Sequence, residues 1–104
     1  MTMGWIRIRY REFYDVPRLF AFARGDQWFV ADCPFDGAAD DYAASYRILR
    51  VRDDDVPRLA QPDWVDIVAR AEPVGSVPVA DVQFDQTRRE SVDDALLNAI
   101  PDEE

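Results

Sequence analysis

The chain contains no histidine and no lysine, and only one cysteine. Without histidine there is no Ser-His-Asp or Cys-His relay, no imidazole metal ligand and no side chain whose ordinary pKa lies near neutrality. Without lysine there is no Schiff-base amine and no phosphate-gripping P-loop lysine. Cys33 alone closes no internal disulfide, builds no cysteine-rich zinc site and holds no iron–sulfur cluster. Long apolar runs are missing as well. The longest, residues 19–23, is far short of the ~20 residues that span a bilayer. The opening residues carry no apolar stretch of signal-peptide length, which predicts a cytoplasmic protein with Cys33 reduced and no membrane partner. No catalytic residue set, metal or cofactor is expected.

What is present is enough for a fold. Ile, Leu, Val and Phe together supply 27 of 104 residues, and three Trp and four Tyr add to them. That exceeds the level below which a chain cannot offset its own ordering entropy, and the length fits a single domain over residues 1–104. The net charge of −9 is unevenly placed. Residues 1–52 hold eight Arg against seven acids, and residues 53–104 hold four Arg against fourteen. Asp outnumbers Glu sixteen to five, so part of the acidity reads as lineage bias. A nucleic-acid binder normally shows a net basic footprint, which the whole chain lacks.

Residues 5–14 alternate, with Ile6, Ile8 and Tyr10 on one face and Arg7, Arg9 and Arg11 on the other, as a half-buried strand requires. Pro17 interrupts it. Residues 18–24 and 27–33 form two further strands, joined by a tight turn in which Gly25 takes a positive φ. Both faces of these strands are apolar, which predicts a central position covered on both sides. Residues 34–44 read as a loop, and residues 45–52 as a fourth strand ended by Asp53, Asp54 and Asp55.

The period then changes. Trp64, Ile67, Val68 and Ala71 fall on one face of a helix over residues 62–71, opened by Pro62 and Asp63 and stopped by Pro73. Residues 77–85 alternate as a fifth strand, and Pro78 argues for a sheet edge. Ser91 caps a last helix whose stripe is Val92, Ala95, Leu96, Ala99 and Ile100. The order β-β-β-β-α-β-α predicts an α+β fold: a curled antiparallel meander, in the manner of an SH3-like small barrel, capped by two short helices.

Several clusters invite a functional reading. Arg7, Arg9 and Arg11 stand about 6.6 Å apart along one strand face, where guanidinium forks could clamp phosphates or carboxylates. The ordinary explanation is a solvated face with cross-strand Arg–Asp pairs. Arg88 and Arg89 precede the last helix and could hold an anion there, or pair with nearby acids. Asp36, Asp40 and Asp41 are fewer than a cation's ligand set and fit turn chemistry. Cys33 follows an acid, which opposes thiolate formation and favours structural burial. Arg24-Gly25-Asp26 matches an adhesion tripeptide, but its residues are those of an ordinary turn. Glu12, Tyr14, Asp15 and Glu90 are acid–base candidates that no spacing brings to one cleft.

The expectation is a small acidic protein-binding module: an inhibitor, an antitoxin- or immunity-like partner, or a small subunit of a complex. Its acids, Asp53, Asp54 and Asp55 foremost, would steer a partner with a basic surface. The alternative is a nucleic-acid- or anion-binding small β-barrel using the Arg7/Arg9/Arg11 face, with Trp5, Tyr10, Tyr14 or Trp28 as stacking platforms. A carboxylate-based enzyme is the third.

Overall fold

The computed structural model describes residues 5–14, 16–83, 91–93, 96–97 and 100. The first predicted strand divides at Ile8 into β1 (Trp5–Arg7) and β2 (Arg9–Tyr14). Next come β3 (Val16–Arg24) and β4 (Gln27–Asp32). The expected loop contains a small hairpin, β5 (Phe35–Asp36) with β6 (Asp41–Tyr42), and β7 (Ser45–Arg50) follows. A 3-10 helix, η1 (Asp53–Ala60), leads to α1 (Val65–Arg70), β8 (Glu72–Pro78), a single 3-10 turn η2 (Val79–Asp81) and β9 (Ser91–Asp93). The main sheet has five antiparallel strands in the order β2-β3-β4-β7-β8, so β2 and β8 are its edges. An α+β architecture of one small antiparallel sheet with short helices is what the chain forms. The predicted element order is not.

The β3–β4 hairpin pairs Arg24 with Gln27 around a two-residue turn, and Gly25 sits there at φ 61°, a conformation that side chains with a Cβ resist. Both faces of the two strands are covered. On one, Phe20, Phe22, Phe29, Ala31, Cys33, Tyr46 and Ile48 form the larger core with Ile8, Val92, Leu96 and Ile100. Phe22 stacks on Phe29 at 5.6 Å between ring centres, and Phe20 meets Tyr46 edge-on at 5.3 Å. The Tyr46 hydroxyl donates to the Pro17 carbonyl at 2.8 Å, and burial pushes its pKa up to about 12. On the other face, Ala21 and Val30 pack against Val51, Leu59, Trp64 and Ile67 from the η1–α1 segment.

Besides the divided first strand, the β5–β6 hairpin and the unexpected η1, two elements differ from the sequence reading. The fifth strand lies at Glu72–Pro78, with only residues 77 and 78 of the expected 77–85 inside it. Pro73, Gly75 and Pro78 punctuate it, and an edge strand tolerates such residues because one of its sides needs no ladder partner. The last helix is replaced at its start by β9, which pairs with β1 in the register Trp5↔Asp93, Ile6↔Val92, Arg7↔Ser91. Val92, Leu96 and Ile100 are nonetheless buried. Spacings of four and eight residues satisfy both a helix and a period-two strand, so burial at these positions does not distinguish them. Of that stripe, Ala95 and Ala99 lie outside the described residues.

Candidate functional site

The η1–α1 cap is assembled around one carboxylate. Asp53, Asp54 and Asp55 occupy the first turn of η1, where backbone N–H groups favour negative charge. Asp53 and Asp54 are exposed, but Asp55 is turned inward and buried. Its Oδ2 accepts Arg70 Nε at 3.0 Å, its Oδ1 accepts Arg70 Nη2 at 2.5 Å, and Arg58 Nη1 reaches Oδ1 at 3.4 Å. The bidentate bond from Arg70 holds the Asp55 carboxyl below the usual carboxylate range, against the opposing effect of burial. Asp55 therefore ties η1 to the end of α1 and offers no free charge to a partner.

Arg11 performs the matching task from the sheet. Its Nη2 donates to the Leu59 carbonyl at 3.0 Å and its Nε to the Gln61 carbonyl at 3.1 Å, groups that the end of η1 leaves without helical partners. Its guanidinium carbon lies 4.7 Å from the centre of the Trp64 ring. Trp64 is buried, and its indole N–H also donates to Leu59 O, at 3.1 Å. The expected helix face is thus realised, with Trp64 and Ile67 buried and Val68 half-buried, although regular helix starts only at Val65. Asp63 Oδ1 accepts the Val65 N–H at 2.9 Å, an Asx turn that leads into the helix.

Beside this cap lies an open cleft of about 310 Å³, lined by Leu19, Pro62, Trp64, Val65 and Val68, with Arg11, Asp32 and Asp63 as its charged members. Asp32 is held by Arg47 at 2.7 Å. Val65 is 71% exposed, one of two large apolar side chains so placed among the described residues. Asp63 and Asp66 flank it and are also exposed. Sequence reading kept Val65 off the buried stripe but gave it no role. An apolar residue on the wet side of an amphipathic helix, between two acids, was the available signal.

The arginine face does not stay together. Arg11 is committed to η1, whereas Arg7 and Arg9 remain exposed, with Arg9 5.9 Å from the Trp28 ring centre. A second cleft, of about 330 Å³, lies between Arg7, Arg9 and Trp28. Arg88 and Arg89 lie outside the described residues, as do Asp15 and Glu90. Cys33 is buried, donating to Ala43 O at 3.1 Å and accepting Arg18 Nη1 at 3.4 Å. Asp41 Oδ1 accepts its neighbour's N–H from Tyr42 at 2.7 Å, and Asp40 takes a left-handed φ of 55°, both turn features. Among the described residues no group of three or more His, Cys, Asp or Glu is placed to hold a metal ion. Also among them, no helix is long and apolar enough to cross a membrane.

Comparison of the chain with protein-family models, with curated proteins and with solved structures finds no match.

Proposed function

We propose that the protein is a small acidic cytoplasmic protein-binding module, without catalytic chemistry of its own, that presents its η1–α1 cap to a partner with a basic surface. The observation that carries this reading is Val65, 71% exposed at the start of α1 beside an open apolar cleft. A protruding aliphatic side chain next to a recess, ringed by acids, has the anatomy of an interface centre with a polar rim. The rim here is Asp63 and Asp66, and Asp53 and Asp54 add exposed negative charge at the start of η1, beside Arg52 and Glu72. Exposed acids of this kind speed encounter with a basic surface and add little to the lifetime of the complex. The partner segment that fits is an apolar side chain for the cleft flanked by arginine or lysine. Inhibitor, antitoxin- or immunity-like partner and small subunit of a complex are the roles that share this chemistry.

The experiment is affinity capture from the native host with the wild-type chain and with Val65→Arg, followed by association kinetics against the captured protein. A basic protein held by the wild type and lost by Val65→Arg supports the reading. Asp53→Asn with Asp54→Asn should slow association and leave dissociation nearly unchanged, and added salt should act the same way. Equal capture by Val65→Arg, or association indifferent to salt, overturns it.

A further inference from the structure

At the hairpin end of the sheet, the strand that should cover β3 leaves it. The β2–β3 ladder begins at Arg9↔Ala21, and from Ile8 backward the chain runs as β1 to pair with β9 instead. The next cross-strand pair on Arg9's face, Ala23↔Trp28, is left open on that side. A cleft of about 330 Å³ results, lined by Ile6, Arg7, Ile8, Arg9, Ala23 and Trp28. Ala23 contributes only a methyl group, so the half-buried indole of Trp28 is the largest apolar surface in it.

The charges in this cleft differ from those of the later arginines. Arg47, Arg50, Arg52, Arg58 and Arg70 each face a carboxylate within 4.0 Å. Arg7 and Arg9 are exposed and, among the described residues, make no ion pair, in a chain with 21 acids to offer. The aromatic contact of Arg9 with Trp28 is at 5.9 Å, near the outer limit for such a contact. Two unpaired guanidiniums beside an accessible indole combine forked donors for an anion with a flat surface for a planar ring.

We propose that the Arg7–Arg9–Trp28 cleft binds one nucleotide unit, with the base against Trp28 and the phosphate on Arg7 and Arg9. The volume is at the lower end of small-molecule sites, which suits a single nucleotide. The net charge of −9 elsewhere disfavours a long polyanion track. Screening over about 8 Å at physiological salt still lets a local basic pair act on one phosphate. The unit is supplied either as a free nucleotide or as an exposed residue of a single strand.

Titration of the full chain with adenosine monophosphate, adenosine, inorganic phosphate and a short single-stranded oligodeoxynucleotide tests this. The readout is the Trp28 indole resonance, assigned with Trp28→Phe, together with calorimetry. Binding of the nucleotide, the oligonucleotide or both, with a Trp28 shift, supports the proposal and identifies the source. Adenosine and phosphate alone should each bind at least about tenfold more weakly. The Arg7→Ala, Arg9→Ala double variant should lose about tenfold or more in affinity. Both side chains are exposed, so its circular dichroism should stay native. No binding of either nucleotide form up to about 5 mM overturns the proposal. So does adenosine as tight as its monophosphate, or a double variant that binds like the wild type.

Discussion

On one face of the sheet, Phe20, Phe22, Phe29, Tyr46 and Ile48 meet Ile8, Val92, Leu96 and Ile100 with no buried charge among the described residues. On the other, the sheet offers the smaller Ala21 and Val30, and the segment that covers them is tied down by Asp55, Arg70 and Arg11. Small residues let η1 and α1 approach the strands closely, but they bury less apolar area, and stabilisation scales with that area. Directed polar bonds supply the rest. The difference teaches where this molecule responds to its surroundings. An apolar core is indifferent to pH and salt, whereas a layer anchored by one carboxylate and two guanidiniums is not. The proposed docking residue, Val65, belongs to the responsive layer.

The largest expected effect breaks the apolar side. Phe22→Ala removes a fully buried ring stacked on Phe29 and should cost about 3–5 kcal/mol. That is a large share of the roughly 5–15 kcal/mol of an ordinary domain, and it should appear as a urea midpoint lowered by about 1 M or more. Retention of the wild-type midpoint would show that this face does not carry the fold.

Asp55→Asn should act more locally. It leaves the shape of the side chain and removes the charge that two guanidiniums share. Amides of the cap, Gln61, Val68 and Ala71 among them, should exchange faster while the β3–β4 ladder keeps its protection. Uniform loss of protection in both regions would contradict a separately anchored cap. Arg11→Met is the smallest of the three. It keeps much of the aliphatic contact with Trp64 but removes three carbonyl bonds, to Leu59, Gln61 and Tyr10, and should lower stability by about 1 kcal/mol in the same urea measurement.

The sequence made the centre of this fold readable and its anchors invisible. Two strands apolar on both faces, joined by Gly25-Asp26, could hardly be other than a covered central hairpin, and so it is. The stripe of Trp64, Ile67 and Val68 is legible for the same reason: periodicity reports burial. Three consecutive aspartates carry no periodicity, so nothing local says that Asp55 turns inward. Its principal partner, Arg70, lies 15 residues away, and the Leu59 and Gln61 carbonyls bound by Arg11 lie 48 and 50 away. The arginine stripe likewise looks uniform along the strand. The departure of β1 takes Arg7 out of the main sheet, and the ladder irregularity between Tyr10 and Glu12 sets Arg11, which bonds the η1 carbonyls, apart from Arg9 on the same strand. Backbone punctuation misleads at β8, where Pro73 and Gly75 resemble a loop.

The comparison of the two faces is tested most directly by native-state hydrogen exchange across acid pH. The Asp55 carboxyl is held below its ordinary range in the folded chain, so as pH falls the unfolded chain takes up this proton first. Its contribution to stability is complete above the ordinary carboxylate range and fades as pH drops toward the lowered folded value. Protection factors of the cap amides at Gln61, Val68 and Ala71 should therefore fall below about pH 4, while those of the ladder between β3 and β4 hold. In Asp55→Asn the cap should already be loose at neutral pH and should lose the acid-dependent step. Cap and ladder amides that lose protection together, at the same pH and in both proteins, would contradict the account.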